Sequence, residues 1–296
     1  MYHNKRTGIM LAKPYEERRL TDPKFKWSWP VGCQAKLDGE RCRMIPSDGQ
    51  IIPISSEMNV FNTIPHIREE LESIHLKVEL DGELYCHEMS FEQIHSIVST
   101  SRKSLHPEYE KIKFHCFDLI ETDVGIPQDQ RYTILSDWYH SFNLQTVMLV
   151  EMYECDNLED VMIHYNMFLE EKYEGIIIRE LGAPYLRKRV GTMLKFKPKK
   201  EDCYAIIGWD EAIDKEGNPK GMLGALRCCG SDGTEFRIGA GCITHKERID
   251  IFENPLKIQG KFARVQYQNI TAKRVPRFGL CVEIVETMID GQTKDK

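Results

Sequence analysis

Apolar residues recur among polar ones over residues 31–37 (VGCQAKL) and 41–54 (RCRMIPSDGQIIPI), and both stretches read as strands. Ser-Asp-Gly interrupts the second run and predicts a hairpin there. Ile64, Ile67, Leu71 and Ile74 recur at helical spacing, which predicts a helix over 64–75. An extended segment (LKVELDGELYC) follows, then a short helix at 91–98, a polar loop (STSRKSLHPEYEK) and a strand (IKFHCFDLI). Two more helices are predicted over 131–142 and 157–170. Asn157 is suited to cap the second, and Leu158, Val161, Met162, Tyr165 and Leu169 fall on one of its faces. EGIIIRE and TMLKFKP read as two further strands.

Past residue 200 the helical period fades. Short strand-like runs alternate with Gly-rich turns: YAIIGWD, GALRCCGSDGTEFRIG, GKFARVQYQ and LCVEIVE. Such a series predicts a small β-barrel of the OB type. The expected organisation is a mixed α/β (α+β) domain with antiparallel sheets over 1–200, then an OB-fold barrel over 201–296. The closing DGQTKDK is expected to fray.

Composition narrows the class. The chain has 296 residues, 41% apolar and 29% charged, as globular proteins do. It contains no apolar run of about 18 residues, so no membrane span is expected. The amino terminus lacks the apolar core of a secretory signal, which suggests a cytoplasmic protein. A net charge of −6 argues against coating nucleic acid by bulk electrostatics, yet leaves room for a local basic groove. Ten cysteines with no CxxC pair suggest reduced thiols, with neither a disulfide framework nor a zinc site.

Candidate chemistry begins at QAKLDGERCR. Lys36 is either a nucleophile or a bystander to the Asp-Gly turn that follows it. Residues 187–200 (RKRVGTMLKFKPKK) are the most basic stretch. In a strand, Lys195 and Lys197 share one face while Leu194 and Phe196 pack behind. That face suits a polyphosphate, or a solvated edge strand. Glu83 and Glu174 stand beside apolar runs, as carboxylates do when they bind a metal or a sugar hydroxyl, or simply when solvated. Phe117 suits the core, or stacking on a purine.

The order of these segments is more specific than any one of them. K-L-D-G-E-R, E-L-D-G-E-L, F-H-C-F-D, E-G-I-I-I-R and L-K-F-K follow in sequence, and V-P-R-F lies in the β-rich tail. The series resembles the covalent nucleotidyltransferases, and specifically the small ATP-dependent DNA ligases, from Met10–Pro14 to Val275–Phe278. The resemblance implies a nucleotidyltransferase domain joined to an OB domain. It implies that Lys36 takes AMP from ATP, expels pyrophosphate, and passes AMP to the 5′-phosphate of nicked duplex DNA for displacement by the 3′-hydroxyl. A lysine amine attacks phosphorus only when unprotonated. By the same resemblance Asp38 lies near the reacting phosphate and Arg41 holds phosphate or ribose. Glu83 binds the ribose, Phe117 stacks on adenine, and Gln34 and Leu37 belong to the nucleotide pocket. Glu83 and Glu174 are the implied ligands of Mg2+ (or Mn2+). Lys195 and Lys197 contact the α-phosphate, Arg189 the nucleotide or the nicked strand, and Arg277 the leaving pyrophosphate. A monomer is implied, with no membrane partner.

Departures from the family pattern accompany these matches. Ser55-Ser56 stands where the family has Ser-Arg, so Arg43 or Arg68 is expected to substitute or 5′-phosphate sensing to weaken. Gln34 replaces a common glutamate, leaving adenine to backbone contacts, and no arginine follows Arg277 in CVEIVETMID. The connection from Trp209 to Leu223 is too short for a DNA-encircling insertion. An RNA ligase or an mRNA-capping guanylyltransferase is the alternative within the superfamily. The compact tail and V-P-R-F favour DNA. An inactive nucleic-acid-binding module is disfavoured by the intact Lys36, Asp38, Glu83, Glu174, Lys195 and Lys197.

Overall fold

Residues 31–55 form three strands, Val31–Lys36, Glu40–Ser47 and Gln50–Ser55, in the computed structural model, which describes residues 8–25, 27–121, 125–267, 270–271, 273–277 and 279–287. In chain order the first unit holds β1 (Leu11–Pro14), α1 (Arg18–Thr21), β2 (Val31–Lys36), β3 (Glu40–Ser47), β4 (Gln50–Ser55), α2 (Pro65–Ser73) and β5 (Glu79–Tyr85). It continues with α3 (Phe91–Val98), β6 (Lys113–Ile120), α4 (Gln128–His140), β7 (Val147–Leu149), β8 (Met152–Cys155), α5 (Leu158–Glu170), β9 (Gly175–Glu180) and β10 (Arg189–Phe196). The second unit starts at Pro198.

Two five-stranded sheets make up the first unit, ordered β1-β10-β9-β2-β8 and β4-β3-β5-β6-β7. The chain crosses between them at two short links, Leu37–Gly39 from β2 to β3 and Val150–Glu151 from β7 to β8. Period-two alternation sorts the second sheet. Leu80 and Leu84 of β5 and Cys42 and Met44 of β3 are fully buried, in one cluster with Ile67 and Leu71 of α2 and Ile94 and Ile97 of α3. Ser90 and Gln93 form a capping box that starts α3, and the Asn157 side chain accepts from the Asp160 amide to start α5.

The second unit holds β11 (Lys200–Ile213), β12 (Pro219–Cys229), β13 (Glu235–Gly239), α6 (His245–Glu253), β14 (Phe262–Tyr267) and β15 (Leu280–Val285). Its strands close as β11-β12-β13-β15-β14, with the helix between the third and fourth strands, an OB-type barrel. Leu223, Leu226, Cys228, Ala263, Val265 and Cys281 form its fully buried centre.

Several elements differ from expectation. A helix does occur after residue 200: α6 buries only Ile251 in its length and so lacks an apolar stripe, but a Thr244/Glu247 capping box nucleates it. Helix α4 begins at Gln128, three residues early, because Gln128 and Arg131 are buried by polar contacts that apolar periodicity does not register. The short strands β1, β7 and β8 carry too few residues for an alternation. All ten cysteines are free thiols. The expected frayed tail DGQTKDK lies outside the described residues.

Candidate active site

Lys36 is the last residue of β2, and the chain leaves one sheet immediately after it to begin β3 in the other. Gly39 permits this crossover, since a Cβ there would run into the Leu84 carbonyl oxygen. Leu37 turns inward and is buried in the core of the second sheet. Lys36 pairs with Gly175 of β9, and the Glu174 amide donates to the Lys36 carbonyl at 3.0 Å. The backbone thereby sets Glu174 beside the lysine. Lys36 Nζ is ion-paired to Glu174 Oε2, and Lys197 Nζ donates to the other carboxylate oxygen at 2.8 Å. Lys195 sits on β10 opposite Ile177, while Phe196 turns away and stacks on Tyr165 at 4.1 Å.

Three lysines around one carboxylate shape the local electrostatics. Burial alone would raise the Glu174 carboxyl, but Lys36 and Lys197 outweigh it and hold it below the ordinary carboxylate value. Burial, then the charges of Lys36, Lys197 and Arg189, lower the Lys195 ammonium. Glu83 moves the other way. Burial pushes it up to about 7 against the pull of Arg41 and Lys36, and Glu40 and Glu174 add to the rise. Asp38, in the crossover, is close enough to raise the Tyr85 phenol after burial has done most of the work.

Phe117 is 9% exposed and belongs to the core. The Arg41 guanidinium lies 4.4 Å from its ring centre and that of Arg179 lies 5.5 Å away. Arg41 grips Asp81 with two hydrogen bonds, 2.7 and 2.6 Å, and Tyr185 donates to the same carboxylate at 2.5 Å. Beside this group Asp118 accepts from Arg131 at 2.8 and 3.2 Å and from Arg179 at 3.0 Å. Gln128 Oε1 accepts from both arginines as well.

Gln34 joins the same layer and is almost fully buried. Arg179 Nε donates to its Oε1 at 2.7 Å, so its amide NH2 must face the Phe117 and Val150 carbonyls, at 3.3 and 3.1 Å. The side chain expected in the nucleotide pocket is fully engaged in joining the two sheets. Sequence reasoning missed this whole layer: Asp81, Asp118, Gln128, Arg131, Arg179 and Tyr185. The one available signal was the alternation in ELDGELY, which sets Glu79, Asp81 and Glu83 on a common face.

Other expected residues lie further out. Arg189 is exposed, begins β10 and donates to the Ala12 carbonyl at 2.5 Å. Arg277 belongs to the second unit, just past the Ile270–Pro276 bridge, and its neighbour Phe278 lies outside the described residues. Of the two arginines expected to replace one at Ser56, Arg43 is buried against Glu79 at 2.5 Å, whereas Arg68 is 43% exposed and weakly paired to Glu72. Arg43 is thus no free phosphate grip. No helix among the described residues is long and apolar enough to cross a membrane.

Similarity to known proteins agrees with the geometry. The family model described as ATP dependent DNA ligase domain matches residues 9–197, and that described as DNA ligase OB-like domain matches residues 216–284. A DNA ligase of Haemophilus influenzae is 29% identical over 204 residues, 67% of this chain and 69% of that protein. A DNA ligase of African swine fever virus is 23% identical over 259 residues, 81% of this chain but only 59% of the longer viral protein. A solved Lig E DNA ligase, described as binding DNA with a minimal scaffold, shares the fold. It has a TM-score of 0.75 and 22% identity, with 94% of this chain and 98% of that one covered. These relatives do not favour an RNA ligase or a capping enzyme. Matches to a catalytic and an OB domain, in the order of the two units, show that this chain belongs to the ATP-dependent DNA ligases.

Proposed function

We infer that this ligase seals 5′-phosphate/3′-hydroxyl nicks in duplex DNA, as a monomer, by way of AMP carried on Lys36. The observation that carries the inference is Lys36 Nζ held by Glu174 at a sheet crossover, with Lys195 and Lys197 gathered on the same face. In the first step Nζ bonds to the α-phosphorus of ATP, the bond to the pyrophosphate oxygen breaks, and the amine releases its proton toward the Glu174 carboxylate. In the second, an oxygen of the DNA 5′-phosphate takes the AMP and the P–N bond to Lys36 breaks. In the third, the 3′-hydroxyl oxygen bonds to the 5′-phosphorus, its proton passes to solvent, and AMP leaves as its P–O bond to that phosphorus breaks. Three activated steps replace one difficult condensation. Lys195 and Lys197 would brace the α-phosphate, where negative charge builds in the transition state. Asp38, beside the nucleophile, would orient the reacting phosphate. Arg41 and Glu83 would meet the ribose, and Phe117 the base.

Glu83 and Glu174 also fit a hydrated Mg2+. They are oxygen donors whose mutual repulsion contributes to the raised Glu83, and Mg2+ commonly takes one or two carboxylates plus substrate phosphates. Among the described residues no cluster of three His, Cys, Asp or Glu forms a closed metal cage. When bound, the ion would offset charge on the triphosphate. Ten free thiols suit the reducing cytoplasm.

The test is labelled ATP followed by a denaturing gel, with wild type beside Lys36→Ala. Wild type should carry label and seal nicked DNA, and the variant should do neither. Sealing of nicked RNA, or labelling from GTP in place of ATP, would support the alternative. The β11–β12 connection is a hairpin pairing Ile213 with Pro219, too short to surround a duplex. Nick binding should therefore fall steeply with salt, as phosphate-dominated binding does.

A further inference from the structure

The charged face of the second sheet does not end at the nucleotide site. Arg41 and Arg43 alternate along β3, and Glu79, Asp81 and Glu83 alternate along β5. Arg41 takes Asp81 and Arg43 takes Glu79, so the row extends from Glu83 to Glu79. Four residues of strand span about 13 Å. At the far end the charges no longer balance. Arg187 also grips Glu79, at 2.6 and 3.2 Å, so two guanidinium groups share one carboxylate. The excess is a full positive charge. Arg43 is 5% exposed and its Nε is buried with no hydrogen-bond partner, whereas the Arg187 side chain is 34% exposed.

Local backbone holds this group in place. Gly8 has φ +78°, and a Cβ on it would come within 2.9 Å of Arg43 Nη2, so glycine lets the chain lie against the buried guanidinium. The Gly8 carbonyl accepts from Arg187 at 2.6 Å, and Arg43 Nη2 reaches Met58 Sδ at 3.2 Å, beneath the turn that carries Ser56.

We propose that Arg187, with Arg43 and Glu79 behind it, is a binding site for a phosphate group of the DNA strand. Arg43 neutralises Glu79 from below, which leaves the outer guanidinium able to turn its fork to a phosphate without stranding a buried carboxylate. A planar fork matches phosphate oxygens in pairs. The proposal rests on the ligase reading and supplies a cation close to the turn where the sequence has Ser56.

Binding of the 296-residue chain to nicked duplex is measured across a salt series for wild type, Arg187→Gln and Glu79→Gln, with adduct formation from ATP read in parallel. Arg187→Gln should bind about tenfold more weakly, and its log–log salt slope should shrink by about 1. Glu79→Gln releases both arginines and should bind more tightly, with a steeper slope. A merely structural trio would weaken binding in both variants without this reversal, and that outcome overturns the proposal. So does Arg187→Gln binding like wild type. Duplexes with a 5′-phosphate or a 5′-hydroxyl at the nick separate the sources. A loss confined to the first assigns the terminal phosphate, and an equal loss assigns a backbone phosphodiester. Wild type that neither forms an adduct nor binds nicked DNA would instead defeat the ligase reading itself.

Discussion

The two faces of the sheet β4-β3-β5-β6-β7 are made of alternate residues on the same strands, yet different forces hold them. Leu80, Leu84, Cys42 and Met44 lie in an apolar cluster with α2 and α3. Arg41, Arg43, Glu79, Asp81 and Glu83 face the opposite way, and with Asp118, Arg131, Arg179 and Gln34 they form a buried polar layer. The apolar face gains stability from area and tolerates exchange of one hydrophobe for another of like volume. The polar layer tolerates little, because each buried donor or charge has one geometry that satisfies it. One side is held by buried area, the other by charges that each need their partner.

Removing a charge should have the largest effect. Asp118→Asn leaves Arg131 and Arg179 without their shared counter-ion, and urea titration should show a loss of about 3–5 kcal/mol. A loss below about 1 kcal/mol would mean that charge does not hold the layer. On the apolar face, Leu84→Ala should cost about 2–4 kcal/mol. The protein that stays folded should still form the AMP adduct at the wild-type rate. A slowed adduct at full folding would blur the division between faces.

Glu83 sharpens the contrast through pH. Its folded pKa of about 7 lies above the ordinary carboxylate value, so the folded chain binds more protons between the two. Its contribution is present in full below the unfolded value and is lost as pH rises through about 7. Glu83→Gln should therefore match wild type near pH 4 and exceed it by about 3 kcal/mol at pH 8. Parallel stability curves for the two proteins would contradict the buried-carboxyl account. The smallest effect is expected at Gln34→Glu. The new carboxylate meets Arg179 but cannot donate to the Phe117 and Val150 carbonyls, for a net loss of about 1 kcal/mol. A raised melting temperature would show that the ion pair prevails.

Much of this was legible in the sequence, for physical reasons that also mark its limit. Alternation exposed β2 to β5, and the run of lysines after Arg187 marked the cationic strand. Lys36, Glu174, Lys195 and Lys197 meet because β2, β9 and β10 are neighbours, as ordered motifs can suggest. The polar layer was not legible. Asp118 and Arg179 sit inside runs that read as apolar strands, and each finds its partner only when the two sheets meet. Strand β1 is likewise invisible locally, since it pairs in parallel with β10 from the opposite end of the unit.

The two crossovers have a mechanical consequence. Three linking residues reach about 10 Å at full stretch, and the Val150–Glu151 link is shorter still. Gln34, one side chain from the nucleophile, is bonded to the second link through the Val150 carbonyl. Lys36 directly precedes the first link, and beyond both links the sheets are tied by Arg179 to Asp118 and by Arg187 to Glu79. The nucleophile is therefore presented from a seam fixed at the links by covalent chain and elsewhere by ion pairs.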